Sequence, residues 1–406
     1  MMTTFSFYLN AQEASSMELI PLVKCICPSC FEEIKLGDCD IVDGNGKKVL
    51  KKASRWLLGR IFIESLDGAL YTGEDAHRRC YRCGYLLPYN IEYVRSVSLS
   101  VVGDISSGKS NYLTSLIHQI VQEWGNHPDN PVQIDCLTAD VEADFLRRYH
   151  SPLYINNTAV PENVPARNDE TPQMFVNRPL IYQLDVNHSP SRPDPSTMFN
   201  LMIYDTAGED FVKIDKLVKA ARFALNSSAL VFVADPFAMD TVYHQLPVPL
   251  QSMIPPDKRP GNRPPNAAIL RGVLQAFMRR HGLLFHKRLT DVPVAIMVSK
   301  ADIFTQAITP RYPYSYARFL QRPTYGAGVD LDDLDGMDQE VRKLLEYYQQ
   351  GSILGLARRL ERVRFFATSA TGVPQDSPNH FPSVDPWRCL DPMMWIFHEL
   401  GLMRSL

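Results

Sequence analysis

The chain has 406 residues, enough for two or three domains, and 45% hydrophobic against 21% charged residues suits a large packed core. A net charge of −3 excludes a general polyanion binder, and no apolar run reaches the roughly 18 residues that span a bilayer. Eight cysteines in so long a chain exclude a disulfide scaffold, and the opening residues lack a basic start followed by an apolar block, so the expected location is cytoplasmic.

Residues 1–96 carry Cys27-Pro-Ser-Cys30 and Cys80-Tyr-Arg-Cys83. Two C-x-x-C knuckles facing each other place four thiolates around one tetrahedral Zn²⁺, and Gly84 suits the tight turn of the second. With all four positions filled by protein, such a site is structural rather than catalytic. The alternative is four buried free thiols, and Cys25 and Cys39 lie near enough to blur the ligand assignment. The gap between the pairs implies an insertion. Within it, Val49, Leu50, Ala53, Trp56 and Leu57 share a helical face rimmed by Lys47, Lys48, Lys51, Lys52 and Arg55. This predicts a basic helix, read as a short packed helix with a solvated rim ahead of a nucleic-acid contact, which the near-cancelling acidic neighbours support only weakly.

Val97–Val102 is a β-branched strand run, followed by Gly103-Asp-Ile-Ser-Ser-Gly-Lys-Ser110. This is G-x-x-x-x-G-K-S, a phosphate-binding loop, and Leu113, Leu116, Ile117 and Ile120 then fall at helical spacing. Backbone N–H groups over Gly103, Asp104, Ser106, Ser107, Gly108, Lys109, Ser110 and Asn111 would cradle phosphate at a helix N-terminus. Lys109 would reach the β- and γ-phosphates and Ser110 would ligate Mg²⁺.

Residues 178–186 and 200–204 read as a hairpin ending in Asp205-Thr-Ala-Gly208-Glu-Asp210. Asp205, at a strand end beside the loop, would hold Mg²⁺, and the Gly208 N–H would sense the γ-phosphate. Between loop and hairpin lies a long first-switch segment. Thr171 is the chosen switch threonine there, with Thr158 second. Residues 228–235 form another buried strand. Seven prolines in 246–266 exclude regular helix or central strand and leave a connector or a docking surface. Asn266 is placed to cap a helix with Ile269, Leu270, Val273, Leu274, Phe277 and Met278 on one face. Residues 292–299 form a strand ending in Ser299-Lys300-Ala-Asp302. The acidic stretch Asp330–Asp335 lacks EF-hand spacing and reads as solvated. Residues 363–370 form the last strand, ending in Thr368-Ser369-Ala370, and Met393–Leu402 a closing helix.

Four strand-terminal motifs in this order make 97–406 resemble the translation-factor-like P-loop GTPases, which implies an α/β three-layer sandwich with an N-terminal zinc ribbon. Its insertions would fall near 125–178, 236–290 and 306–360. The resemblance implies that Asp302 pairs with guanine, that the Lys300 stem lies over the base, that Ser299 replaces the usual Asn, and that Ser369-Ala370 approach guanine O6. With Cys27-Pro-Ser-Cys30, Cys80-Tyr-Arg-Cys83 and Asp205-Thr-Ala-Gly-Glu-Asp, the whole chain resembles the zinc-ribbon type of the bacterial double-GTPase (DO-GTPase) group. That resemblance implies GTP/GDP, Mg²⁺ and Zn²⁺ as cofactors, hydrolysis of GTP, a second GTPase as partner or a homo-oligomer, and a role in bacterial conflict or defence. Lys109, Thr171, Gly208 and Glu209 would carry catalysis. Glu209 in place of a water-positioning Gln, and Ile105 in place of Gly, predict slow intrinsic turnover. The competing expectations are a GTP-binding scaffold with little turnover and a nucleic-acid module built on the ribbon.

Overall fold

The computed structural model describes residues 17–18, 22–57, 60–72, 75–125, 132–161, 179–186, 197–205, 226–280, 292–308, 321, 323, 325–326 and 328–406. The chain divides into two compact units, with the break between Arg95 and Ser96.

In the first unit, Lys24–Ile26 pairs antiparallel with Glu33–Lys35, and Asp40–Asp43 with Ala76–Arg79. Each C-x-x-C follows one of these strands. A separate four-stranded sheet runs in the order Met17–Glu18, Lys51–Leu57, Arg60–Ser65, Leu70–Thr72. Lys51–Leu57 is therefore a strand, not the basic helix that its spacing predicts. A stretch this short satisfies a 3.6-residue and a 2-residue period about equally. The tie is broken by the alternating, β-branched Arg60–Ser65, which offers it a pairing partner. The basic rim is answered by carboxylates: Lys48 meets Asp40 at 2.6 Å, Lys51 meets Glu92 at 2.7 Å and Lys52 meets Glu64 at 2.8 Å. Arg78 ties the unit together, donating to Glu92 and to the carbonyls of Leu36 and Cys39. Burial works against the Glu92 charge, but hydrogen bonds from Arg78 and Lys51 outweigh it and hold the carboxyl below its ordinary range.

The second unit is an α/β fold built on one seven-stranded mixed sheet with helices packed on it. Its seven strands are β1 (Arg95–Gly103), β2 (Gln133–Cys136), β3 (Leu180–Asp185), β4 (Met198–Asp205), β5 (Ala229–Ala234), β6 (Val294–Val298) and β7 (Val363–Ala367), in the order β2-β3-β4-β1-β5-β6-β7. β3 pairs antiparallel with both β2 and β4, while β1, β5, β6 and β7 are parallel. Every residue of β5 and β6 is buried. Side chains alternate across a strand, so both faces must be covered, and this is why these runs read as continuously apolar. The main helices are α1 (Lys109–His118), α2 (Asn266–Arg280), α3 (Leu331–Tyr347) and α4 (Asp391–Glu399). α1 packs against β4, α3 on β7 and α4 on β6. α4 buries Met393, Met394, Trp395, Ile396 and Phe397, side chains worth roughly 1.5–3 kcal/mol each when removed from water.

Three local expectations change. The proline-rich stretch contains two short helical turns, Val248–Met253 and Pro256–Lys258, each with a proline at the first or second helical position, where no N–H is missed. Asn266 does not cap α2; it clasps the end of β5, accepting from the Asp235 N–H at 3.1 Å and donating to the Asp235 carbonyl at 2.9 Å. The acidic stretch is not merely solvated. Asp330 caps α3 by accepting from the Asp333 N–H, Asp333 meets Arg388, and Asp335 meets Arg364. Between α1 and β3, β2 adds an edge strand to the sheet, followed by the helix Ala139–Phe145. No described helix is long and apolar enough to cross a membrane.

Candidate functional site: a nucleotide-sized cavity and a four-cysteine cluster

In an open α/β sheet, ligands bind beyond the carboxyl ends of the strands. Here β1, β5, β6 and β7 all end on the same side, and the residues after them gather there.

β1 ends at Gly103. A Cβ at that position would come within 2.7 Å of the Val233 carbonyl oxygen, so only glycine lets β1 and β5 lie this close. Gly108 adopts φ +91° and turns the loop into α1. Lys109 is buried and folds back over the loop. Its Nζ donates to the carbonyl oxygens of Gly103, at 3.1 Å, and Asp104. The ammonium is thereby held above the turn, a fixed point charge for an anion.

β6 ends at Ser299. Its hydroxyl donates to the Ser107 carbonyl at 2.7 Å and so ties the loop to β6. Lys300 follows with φ +52°, an uncommon conformation for a side-chain-bearing residue. Its Nζ donates to the Ser106 carbonyl and to Asp235 Oδ1, each at 2.9 Å, and lies 4.2 Å from the centre of the Phe237 ring. Asp302 is buried, and Ser369 Oγ donates to its Oδ1 at 2.5 Å. The Ser369 hydroxyl also accepts from the Gly372 N–H at 2.8 Å, which fixes its orientation. Burial pushes the Asp302 carboxyl above the usual carboxylate range, against the hydrogen bond from Ser369. Asp235 is opposite in sign. Burial works against its charge too, but Lys300 and Arg263 together hold it below that range.

These residues surround one cavity of about 570 Å³, within the size range of small-molecule sites. Ser106, Gly108, Lys109, Ser110, Asn111, Ser299, Lys300, Asp302 and Ala370 line it. Gly103, Asp104, Ser107 and Ser369 act from behind, as braces. The Asn111 side chain accepts from the Val160 N–H at 2.9 Å, pinning the first-switch insertion to α1. Thr158, the second choice for the switch threonine, uses its hydroxyl locally, donating to the Pro152 carbonyl at 3.0 Å. Thr171, Gly208 and Glu209 lie outside the described residues; Asp205 is the last residue of β4.

Sequence reading missed part of the lining. Leu250, Met253, Pro255 and Lys258 form one wall from the proline-rich stretch, and Asn379 and Phe381 contribute from beyond β7. Asp235 and Arg263 were missed as well. Asp235 had a usable signal, a carboxylate at the end of an apolar strand; Arg263 had none, since it belongs to no motif.

In the first unit, the two knuckles repeat one set of bonds. The Cys27 N–H donates to the Glu32 carbonyl and the Phe31 N–H to the Cys27 carbonyl, each at 3.0 Å. The Cys80 N–H donates to the Tyr85 carbonyl and the Gly84 N–H to the Cys80 carbonyl, each at 2.9 Å. Phe31 and Gly84, at matching places, both take positive φ. The four sulfurs lie within 4.8 Å of one another, with Cys27 Sγ 3.7 Å from Cys83 Sγ and Cys30 Sγ 4.0 Å from Cys80 Sγ. A tetrahedron of Zn–S bonds of about 2.3 Å spaces its sulfurs about 3.8 Å apart, so the cluster is able to hold such an ion. Cys25 and Cys39 stand outside it, which settles which thiols gather.

No family model matches the chain. Among curated proteins, it is 24% identical over 341 residues to a putative ESX-1 scaffolding and assembly protein, SaeC, of Mycolicibacterium smegmatis, covering 80% of each chain. Among solved structures, it is similar to the Arl6 small GTPase of Trypanosoma brucei with bound nucleotide analogue, at 9% identity and TM-score 0.28, over 76% of this chain and 99% of that one. It is also similar to the GTPase-like domain of Saccharomyces cerevisiae Ski7 bound to GTP, at 14% identity and TM-score 0.26, over 76% and 51%. At such scores these similarities add nothing to the strand order and the cavity, on which the class of fold rests.

Proposed function

We propose that this chain binds guanine nucleotides in the cavity and hydrolyses GTP to GDP and phosphate, as a switch whose state is read by a protein partner. One observation carries the reading. Asp302, a buried carboxylate fixed by Ser369, stands on the same cavity as the Lys109 ammonium and the N-terminus of α1. The first suits a base that offers two donors, the second a phosphate chain. In this reading Asp302 accepts from guanine N1–H and the 2-amino group, the Lys300 stem lies along the base, and the Ala370 N–H faces O6. Ser299 supplies the loop brace expected of Asn. Ser110 and Asp205 would hold Mg²⁺, which would neutralise phosphate charge. Cys27, Cys30, Cys80 and Cys83 would hold a structural Zn²⁺. Turnover would be slow, given Ile105 and Glu209.

The resemblance to the double-GTPase group supports a second GTPase as partner and a role in bacterial conflict or defence. The relative named as a scaffolding and assembly protein favours a second reading, a GTP-bound scaffold with little turnover. Tight GTP binding without hydrolysis, with or without partner, would select it.

Asp302→Asn tests the base assignment. It should shift preference from GTP to XTP by at least about tenfold, because Asn donates to the xanthine carbonyl that replaces the guanine amine. Competition between the two nucleotides reads this out, and an unchanged preference would sink the assignment. The pH dependence has a definite sign. The raised Asp302 pKa means that its ionised form burdens the empty site near neutral pH and that guanine donors relieve it. As pH falls through that raised value the carboxylate protonates and stops accepting, so GTP affinity should fall at a higher pH than an ordinary Asp would give. The Asn variant should lack this step.

A further inference from the structure

The proline-rich stretch ends at an arginine that turns into the site. It is braced internally: Arg259 donates to the Ile254 carbonyl at 3.0 Å, and the Asn262 side chain to the Pro256 carbonyl at 2.8 Å. Three residues before α2, Arg263 turns inward until its side chain is 5% exposed. Its Nη2 donates to Asp235 Oδ2 at 2.7 Å. Its Nη1 stops 3.7 Å from Asp104 Oδ2, beyond hydrogen-bond reach. Both Nη1 and Nε are buried and have no hydrogen-bond partner among the described residues. The guanidinium lines the same cavity as Ser106, Lys109 and Ser110.

A strut needs no idle donors. Asp235 is already served by Lys300 on its other oxygen, so the fold does not require the remaining donors of Arg263 to hold that carboxylate. Leaving buried guanidinium donors unpaired is unfavourable, and is tolerated where a ligand completes them. The planar fork of arginine matches phosphate oxygens, which accept two N–H bonds side by side. A third phosphate adds negative charge next to a loop that carries the Asp104 carboxylate, and so gains from a further cation beside Lys109.

We propose that Arg263 is a ligand for the terminal phosphate of a bound nucleoside triphosphate, supplied by this chain itself, and that it sets the preference for triphosphate over diphosphate. The proposal rests on reading the cavity as the nucleotide site. Arg263 keeps Asp235 through Nη2 and gives Nη1 and Nε to phosphate oxygens. The strap of residues 246–263 is then the element that delivers this guanidinium, without a partner protein inserting one.

The test uses the full-length chain with Mg²⁺, and calorimetric titration with GDP and with a non-hydrolysable GTP analogue. Arg263→Ala should weaken the analogue by about tenfold or more and leave GDP within about twofold, while Arg263→Lys, which keeps charge but loses the fork, should fall between. Equal weakening of both nucleotides would make Arg263 a strut for Asp235 and overturn the proposal, as would no change in either. Should the alanine variant fail to fold, Arg263→Lys alone carries the test, through the ratio of the two affinities. Failure of the unaltered chain to bind either nucleotide would instead overturn the reading of the cavity, a result separable from the first by the parent titration.

Discussion

Lys109→Ala is expected to weaken GTP binding by about 100-fold or more, equivalent to about 2.8 kcal/mol at 1.4 kcal/mol per tenfold change. The ammonium is the one charged group that the loop itself aims over its turn, and charge-assisted contacts to phosphate are the strong ones. The substitution has a second effect. Lys109 is buried and donates to two loop carbonyls, so its removal leaves them without their donor and should destabilise the unit by about 1–3 kcal/mol. Thermal melting should therefore show a drop of a few degrees alongside the binding loss, of about 2–4 °C per kcal/mol for a unit this size. A variant that melts like the parent and binds GTP equally well would mean that the loop is only a structural turn.

Replacing Cys27 by Ser, or stripping metal with a strong chelator, is expected to unfold the first unit. Apparent zinc binding in small four-ligand sites is worth about 10–16 kcal/mol and is folding energy, because the unfolded chain has no preformed site. Beside the cysteines, the unit buries Ile34, Leu36, Leu87, Ile91 and Val94 and a separate cluster of Ile41, Val49, Ile63 and Ala76, with Arg78 and Glu92 tying its strands together. The readouts are one Zn²⁺ per chain by elemental analysis and loss of protease resistance in residues 22–95 on chelation, with nucleotide affinity of the second unit retained. Carefully purified protein that holds no zinc and keeps a protease-resistant first unit would contradict this.

The site was legible wherever chemistry sits within a few consecutive residues. Gly103 to Ser110, Ser299 to Asp302 and Thr368 to Ala370 each follow an apolar run, and the runs became β1, β6 and β7. A parallel strand buried on both faces announces itself by composition, so the carboxyl ends of the strands could be placed, and with them the cavity. The misreadings have local causes. Lys51–Leu57 was ambiguous between two periods until its partner strand was considered. Asn266 has the residue type of a cap but found a backbone to clasp across the sheet. Arg263 is the clearest limit. It meets Asp235 across 28 residues and approaches Asp104 at the end of the neighbouring strand β1, and no spacing rule connects an arginine in a proline-rich stretch with the loop after β1. Long-range pairing of that kind is decided by the fold rather than by neighbours in sequence.

Direct titration of the purified chain with GTP, GDP and ATP in the presence of Mg²⁺ tests the central claim most directly. The account predicts saturable binding of one guanine nucleotide per chain. It also predicts that ATP binds at least about 100-fold more weakly, since adenine offers no pair of donors to Asp302 and leaves that buried carboxylate unpaired. Equal affinity for ATP and GTP would show that Ser299-Lys300-Ala301-Asp302 does not read the base, and no binding of any of the three would remove the nucleotide site itself.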